Sequence, residues 1–161
     1  MRKDKINYYL DIAEVVAERS TCLRRKFGSI IVNNDEILAT GYNGAPRGRE
    51  NCDELKYCLR NKFEIPRGER YEMCRSVHSE PNAIMSAGRK NCIDATLFMV
   101  GLDAKTNEIT EGSAPCMMCK RLCINAGIKE VVVREPNNKY TIYKVLDWVK
   151  DDETLRGEFG Y

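Results

Sequence analysis

The sequence has little of several features that mark other classes of protein. It contains one histidine and one tryptophan among 161 residues, and no apolar run approaches the roughly 20 residues that span a bilayer. Its start also lacks the apolar core and small-residue cleavage site of a secretory signal. We therefore expect a cytoplasmic protein without a membrane partner, folded as one domain over residues 1–161.

An excess of charge of one sign is absent as well. The chain has 26 Lys and Arg against 24 Asp and Glu, which gives a net charge of +2. Proteins that bind nucleic acid through its phosphates usually carry a clear basic surplus. The balance therefore argues against a nucleic-acid partner, although local basic clusters remain open to other roles.

Cysteine, by contrast, is abundant. Eight cysteines stand beside the single histidine, and in a chain without an export signal a disulfide framework is the less favoured explanation. Zinc binding or thiolate chemistry becomes the leading interpretation. Any chemistry that needs an imidazole must run through His78.

The order of apolar and turn-forming segments predicts a layered α/β domain. A helix over 3–19 precedes a hairpin, a long polar segment and two helix-and-strand units, and a last helix precedes a loose tail over about 151–161. A hairpin followed by two such units predicts a mixed sheet with helices on both faces, a three-layer α/β/α domain. The predicted strands are 29–32, 37–40, 95–100 and 130–134; the later helices are 80–90, 116–126 and 138–150; the polar insertion, which a metal could order, is about 44–75.

Three residues are candidate zinc ligands. Cys116 and Cys119 are spaced to point the same way from the start of a helix, where the positive helix end favours their thiolates. His78, at the start of another predicted helix, can supply a neutral nitrogen. Three protein ligands on tetrahedral zinc leave one position for water, which is the arrangement of catalytic sites.

Glu80 gives the predicted site a proton carrier. It lies two residues after His78 and can approach the zinc-bound water without binding the metal. H-x-E followed by P-C-x-x-C is the known signature of zinc nucleobase deaminases. A closed structural zinc site or a redox pair of cysteines is the alternative for C-x-x-C alone.

The motifs resemble those of the cytidine and deoxycytidylate deaminase family from about Asp4 to Tyr143. The loop 41–48, GYNGAPRG, and the segment 78–84, HSEPNAI, are similar to the deoxycytidylate (dCMP) branch, although Ser79 and Pro81 depart from its usual pattern. The resemblance implies a five-stranded mixed sheet flanked by helices and one zinc per active site. It also implies a homo-oligomer, often a hexamer, with dCTP as activator and dTTP as inhibitor.

The resemblance also assigns roles to individual residues. It makes His78, Cys116 and Cys119 the zinc ligands and Glu80 the proton shuttle. Asn43 would bind the 3′-hydroxyl of the substrate, with simple turn chemistry as the alternative. Arg89 would bind the substrate phosphate, and it would have to reach back along the helix or serve a neighbouring subunit. An exposed arginine at a helix end is the alternative.

Two further sites are implied by the same resemblance. A second, structural zinc would use three cysteines that match positions in some relatives, with a fourth nearby, and unrelated thiols are the alternative. An effector site near the GYNG loop would use basic and loop residues. The second-zinc residues are Cys22, Cys52, Cys74 and Cys58; the effector residues are Arg24, Arg25, Lys26, Tyr42, Gly44 and Arg47.

Together these features predict zinc-dependent hydrolysis of dCMP to dUMP with release of ammonia. An enzyme acting on another or a modified cytosine nucleotide is one alternative. A nonenzymatic nucleotide-binding regulator with structural zinc is another, and Glu80 argues against it because a closed zinc site needs no adjacent proton carrier.

Overall fold

A computed structural model describes residues 1–151. The predicted loose tail, about 151–161, lies outside them except for its first residue. No helix within this part of the chain is both long enough and apolar enough to cross a membrane. The helices are α1 (Lys5–Ala17), α2 (Cys52–Leu55), α3 (Leu59–Lys62), α4 (Ser79–Ala87), α5 (Arg89–Cys92), α6 (Met117–Ala126) and α7 (Val145–Lys150); the strands are β1 (Arg25–Asn33), β2 (Glu36–Tyr42), β3 (Thr96–Asp103), β4 (Glu130–Arg134) and β5 (Tyr140–Lys144).

The strands form one mixed sheet in the order β2-β1-β3-β4-β5. Only β3 and β4 run parallel; the other neighbouring pairs are antiparallel. The parallel pair arises because the chain returns through α6 before β4, as a helix crossover requires. The predicted mixed sheet with flanking helices is confirmed.

Alternating side chains of the strands build two separate cores. Ile30 and Phe98 face α1, and Ile31 and Leu97 face the layer that contains α4 and α6. This period-two alternation is what a sheet covered on both faces requires. Helices therefore cover both sides of the sheet, and the domain is a three-layer α/β/α sandwich.

Two glycines let the helices approach the sheet closely. A Cβ on Gly28 would lie 2.2 Å from the carbonyl oxygen of Ala13 in α1. A Cβ on Gly41 would lie 2.4 Å from the carbonyl oxygen of Ser79 in α4. Both contacts are with backbone, so a side chain at either position would push a helix away. The Gly41 contact holds the start of α4, which carries His78 and Glu80, against the sheet.

The prediction of one helix over 138–150 is wrong. Residues 140–144 form β5, an edge strand paired with β4, and only Val145–Lys150 is helical. The spacing of Ile142, Val145, Leu146 and Val149 suggested a helix, yet of these four only Val145 is buried. An edge strand exposes one face to solvent, so β5 has only a short alternation of apolar and polar residues. Its apolar residue Ile142 also fits the spacing of the following helix, and the pattern therefore predicted one continuous helix.

The helix predicted over 80–90 is interrupted in the structure. It ends at Ala87, and Gly88 takes a left-handed φ of 76° before α5 begins at Arg89. Glycine adopts this backbone without strain, so the chain can turn here. Arg89 consequently lies on a different helical segment from Glu80.

A buried arginine organises the insertion. The Arg60 side chain is 3% exposed and donates hydrogen bonds to the carbonyl oxygens of Pro66 at 2.7 Å and Arg70 at 2.9 Å. Its guanidinium also stacks on the Tyr71 ring, 4.5 Å from the centroid. The insertion thus has an internal side-chain anchor of its own, in addition to any metal it binds.

Candidate metal centre and active site

The predicted ligand set lies at the N-terminal ends of two helices. His78 is the N-cap residue of α4, Cys116 is the N-cap residue of α6, and Cys119 lies in the first turn of α6. The sheet holds the two helix ends side by side, although 38 residues separate His78 from Cys116 in sequence. This convergence was the central expectation from the sequence.

The three donor atoms match a zinc site in their spacing. His78 Nδ1 lies 3.6 Å from Cys116 Sγ and 3.4 Å from Cys119 Sγ. Tetrahedral zinc with its usual bond lengths separates a nitrogen and a sulfur ligand by about 3.6 Å. Within residues 1–151, this is the only group of three or more His, Cys, Asp or Glu residues whose ligand atoms all lie within 4.8 Å of one another.

The electrostatics of the ligand set favour a metal-binding thiolate. Hydrogen bonds with Cys119 and His78 lower the pKa of Cys116 to about 4, against the opposing effect of burial. Burial opposes protonation of His78, but hydrogen bonds to Cys116 and Cys74 raise its pKa to about 10. A cation therefore competes with protons for these three side chains, and its affinity falls as the pH falls.

Glu80 lies beside this group and is 2% exposed. Burial raises the pKa of its carboxyl group, while the positive charge of His78 acts in the opposite direction. Its Oε2 accepts a hydrogen bond of 3.1 Å from the Ser79 hydroxyl, which lies 2.8 Å from the hydroxyl of Ser29 on β1. A carboxyl group with a raised pKa can both accept and return a proton near neutral pH.

One pocket contains both the ligand set and Glu80. Its volume is about 160 Å³. Phe27, Met99 and Ala114 give it apolar walls, and Tyr71 from the insertion packs edge-on against His78 with ring centroids 5.4 Å apart. The pocket therefore places apolar walls beside the predicted metal ligands and the carboxyl group, which suits a pyrimidine ring.

Asn43 also lines the pocket, but most of its amide is occupied. Its Oδ1 accepts from the backbone N–H of Phe27 at 2.8 Å and from the Ser20 hydroxyl at 2.5 Å, and its Nδ2 donates to the Arg25 carbonyl at 3.0 Å. One N–H of the amide is left for a ligand. Asn43 thus fixes the start of β1 and keeps one donor for its predicted role.

Arg89 lies away from the pocket. Its side chain is exposed and its Nε donates to the carbonyl oxygen of Asn125 at 2.9 Å. The helix break at Gly88 accounts for this placement. The structure of a single chain therefore does not bring Arg89 together with Glu80.

The predicted effector residues are dispersed. Arg24 and Arg25 line the pocket itself, whereas Lys26 donates to Asn107 at 3.1 Å. Tyr42 contacts Arg19, with the guanidinium 5.8 Å from the ring centroid. Gly44 pairs with Val77, and Arg47 is exposed.

The four other candidate ligands form a looser group. Cys22, Cys58 and Cys74 line the same pocket. Burial raises the pKa of Cys52, and the charges of the other three thiols act in the same direction. Burial also raises the pKa of Cys74, but hydrogen bonds with His78 and with the backbone of Ser76 outweigh it, so that the pKa of this thiol is lowered. Among the residues that the structure describes, these thiols do not meet the spacing that the first ligand set meets.

Several pocket residues were not anticipated from the sequence. Ser79 donates to Glu80 from behind the pocket, and its hydroxyl lies 2.8 Å from that of Ser29. Arg60, Arg67 and Tyr71 line the pocket from the insertion. The serine in H-S-E was visible as a departure from the family pattern. The insertion offered no periodic signal, because its position over the pocket depends on hydrogen bonds from Arg60 to loop carbonyls.

Comparison with known proteins places this geometry in a family. Residues 3–135 match the model of the cytidine and deoxycytidylate deaminase zinc-binding region. The deoxycytidylate deaminase of Mycobacterium phage D29 is 35% identical over 135 residues, which cover 81% of this chain and 94% of the phage protein. The deoxycytidylate deaminase of Schizosaccharomyces pombe is 32% identical over 132 residues, 82% of this chain but 37% of the yeast protein.

Solved structures of deaminases have a similar fold. The dCMP deaminase of cyanophage S-TIM5 in its apo form has a TM-score of 0.57 and 27% identity, and the match covers 86% of this chain and 89% of the phage chain. The same phage protein has been solved in complex with dCMP and dUMP. Cytidine deaminase from Mycobacterium tuberculosis shares the fold, with a TM-score of 0.51 and 13% identity.

The fold and the candidate ligand set are thus those of a zinc-binding deaminase family. This chain belongs to the cytidine and deoxycytidylate deaminase family, and the resemblance seen in its motifs is confirmed.

Proposed function

We propose that the protein catalyses hydrolytic deamination of dCMP: dCMP and water give dUMP and ammonia. One observation supports this most directly. A buried carboxyl group, Glu80, shares one pocket with three zinc-compatible donor atoms. Relatives with the deoxycytidylate deaminase name at 31–35% identity support dCMP as the substrate.

His78, Cys116 and Cys119 are the residues that would hold the zinc ion. Their two thiolates and one imidazole leave a fourth position free of protein ligands. A zinc ion held by these three residues would supply Lewis acidity, which lowers the pKa of a bound water molecule from its bulk value toward about 7.

Glu80 moves the protons. Its carboxylate takes a proton from the attacking water and delivers it to the ring nitrogen N3, as the oxygen adds to C4. The carboxylate then takes the remaining hydroxyl proton and passes it to the amino group, and ammonia leaves with the electrons of its bond to C4. Each proton enters and leaves the same carboxyl group, so Glu80 ends the cycle unchanged.

The remaining assignments rest on the family resemblance and stay predictions. Asn43 would donate its free N–H to the 3′-hydroxyl, and Arg89 would bind the phosphate, from a neighbouring subunit if not from its own. Three further predictions rest on the same resemblance. They are a second zinc at Cys22, Cys52, Cys74 and Cys58, a hexameric homo-oligomer, and regulation by dCTP and dTTP. Another or a modified cytosine nucleotide is the alternative substrate.

The Glu80→Gln variant tests the proposed function. The amide keeps the shape of the side chain but cannot carry the proton, so we expect ammonia release from dCMP to fall by about 10²- to 10⁴-fold or more. Zinc content per chain should stay at the level of the unaltered protein. Loss of zinc together with activity would show that Glu80 has a structural role instead.

A further inference from the structure

The outer part of the pocket is lined by arginines from two distant segments. Arg24 and Arg25 come from the turn before β1 and its first residue, and Arg67 comes from the insertion. We call these three residues the arginine rim. Arg60 lies on the same pocket wall and is itself buried.

The rim arginines form no ion pair with an acidic side chain among residues 1–151. The ion pairs found within residues 1–151 involve other side chains. Asp103 faces Arg25 across the sheet, but its Oδ1 already accepts from the backbone N–H groups of Lys105 at 2.8 Å and Thr106 at 3.0 Å. Burial and the charges of Arg67 and Arg24 lower the pKa of Arg25, and they outweigh the smaller opposing effect of Asp103. The positive charge therefore remains available to a ligand.

The rim is held in place by the surrounding structure. Asn43 binds the Arg25 carbonyl at 3.0 Å and the Phe27 N–H at 2.8 Å, which fixes the backbone that carries Arg25. Arg60 binds the carbonyls of Pro66 and Arg70, the residues on either side of the turn that carries Arg67. Both anchors are buried, so the cost of ordering the rim is met by the fold and not by the ligand.

The inner and outer parts of the pocket have complementary chemistry. Glu80 is 2% exposed, whereas Arg24 and Arg67 are exposed, so the carboxyl group lies at the buried end of the pocket and these arginines at its solvent end. Phe27 and Met99 add apolar walls. A cytosine ring whose amino group faces Glu80 would direct its sugar toward the open end. Guanidinium groups there are suited to a phosphate, which they bind through paired hydrogen bonds.

We propose that Arg25 and Arg67 bind the 5′-phosphate of the substrate and select a nucleotide over the corresponding nucleoside. The inference rests on the proposed function and deepens it. It assigns the phosphate to residues in the same pocket as Glu80, and Arg89, bonded to Asn125, lies elsewhere in the chain.

The experiment compares three arginine variants with a matched control. Ammonia release from dCMP and from deoxycytidine is measured for Arg25→Ala, Arg67→Ala and Arg89→Ala, without added effectors. Arg49→Ala is the control, because Arg49 is an exposed arginine of the insertion that does not line the pocket. We expect the rim variants to lose about 10- to 100-fold in kcat/KM for dCMP and less than about twofold for deoxycytidine.

Binding to the inactive Glu80→Gln protein separates this inference from the proposed function. Calorimetry in that background should show the same selective loss of affinity for dCMP, and the loss should shrink at high salt. If the unaltered protein releases no ammonia from any cytosine compound, the proposed reaction is wrong, and the binding result still decides on the rim.

Three outcomes would overturn the inference. Equal losses for dCMP and deoxycytidine would show a structural role for the rim. A selective loss in Arg89→Ala alone would return the phosphate to Arg89. When the assay is repeated with added dCTP, a changed response to dCTP with no change in the preference for dCMP would show that the rim binds an effector. Arg67 is exposed on a loop, so its variant should fold even if Arg25→Ala does not.

Discussion

The two groups of cysteines in this chain differ in how the fold positions them. Cys116 and Cys119 lie at the start of α6, which shares a core with strands β3 and β4 and packs next to α4. Cys22, Cys52, Cys58 and Cys74 lie on turns and short helices around the insertion. The first group has its donor atoms within 4.8 Å of one another, and the second does not form such a set among the described residues.

The difference shows what a sheet contributes to a metal site. A helix end packed against strands has little freedom, so side chains distant in sequence can meet at a defined separation. Loops offer the same thiols without the same constraint. The first group should therefore bind metal tightly. In the second group, zinc binding should require the four thiols to move closer together, which lowers the affinity.

Removing a ligand from the ordered group should have the largest effect. The Cys119→Ser variant should lose one zinc per chain and reduce ammonia release on the order of a thousandfold or more, because the water is no longer acidified. Zinc content by elemental analysis and the rate of ammonia release measure this.

Cys123→Ala is the matched control. Cys123 is buried on the same helix, one turn further on, and lies in the core instead of the pocket. The control should keep its zinc and most of its activity. Zinc retained in Cys119→Ser, or lost in Cys123→Ala, would contradict the assigned ligand set.

The second group gives an intermediate prediction. The unaltered protein should contain two zinc ions per chain, and Cys52→Ser should contain one and still release ammonia. A chelator should remove the second zinc before the first, because its thiols are not preassembled. Titration with a chelator, followed by elemental analysis, measures both points, and a count of one zinc in the unaltered protein would eliminate the second site.

The sequence predicted the ligand set of His78, Cys116 and Cys119 well, because these residues lie at helix starts that the sheet holds in place. H-x-E and P-C-x-x-C lie at helix starts, and helix starts follow from local signals such as Pro115 and the apolar spacing of α6. The edge strand β5 was missed because its exposed residues, including Ile142, share a spacing with α7. The placement of Arg67 over the pocket was missed because it depends on Arg60 binding loop carbonyls, which no periodicity records.

The smallest predicted effect concerns Ser79 and Ser29, two buried serines that do not bind the metal but support Glu80. Ser79 is fully buried, and its hydroxyl donates to Glu80 Oε2 and lies 2.8 Å from that of Ser29. Since the hydroxyl of Ser79 has one hydrogen, which goes to Glu80, Ser29 must donate to Ser79. Ser79→Ala removes the donor that orients the carboxylate, and kcat should fall about three- to tenfold with KM nearly unchanged.

Ser76→Ala is the control for this variant, because Ser76 is also buried but makes no hydrogen bond with Glu80. If the two hydroxyls act as one chain, Ser29→Ala should lower kcat by a similar factor, and the double variant should lose little more than either single variant. Additive losses, or an increase in KM without a change in kcat, would show that the serines only fill space between β1 and α4. The ordered region would then end at the carboxyl group itself.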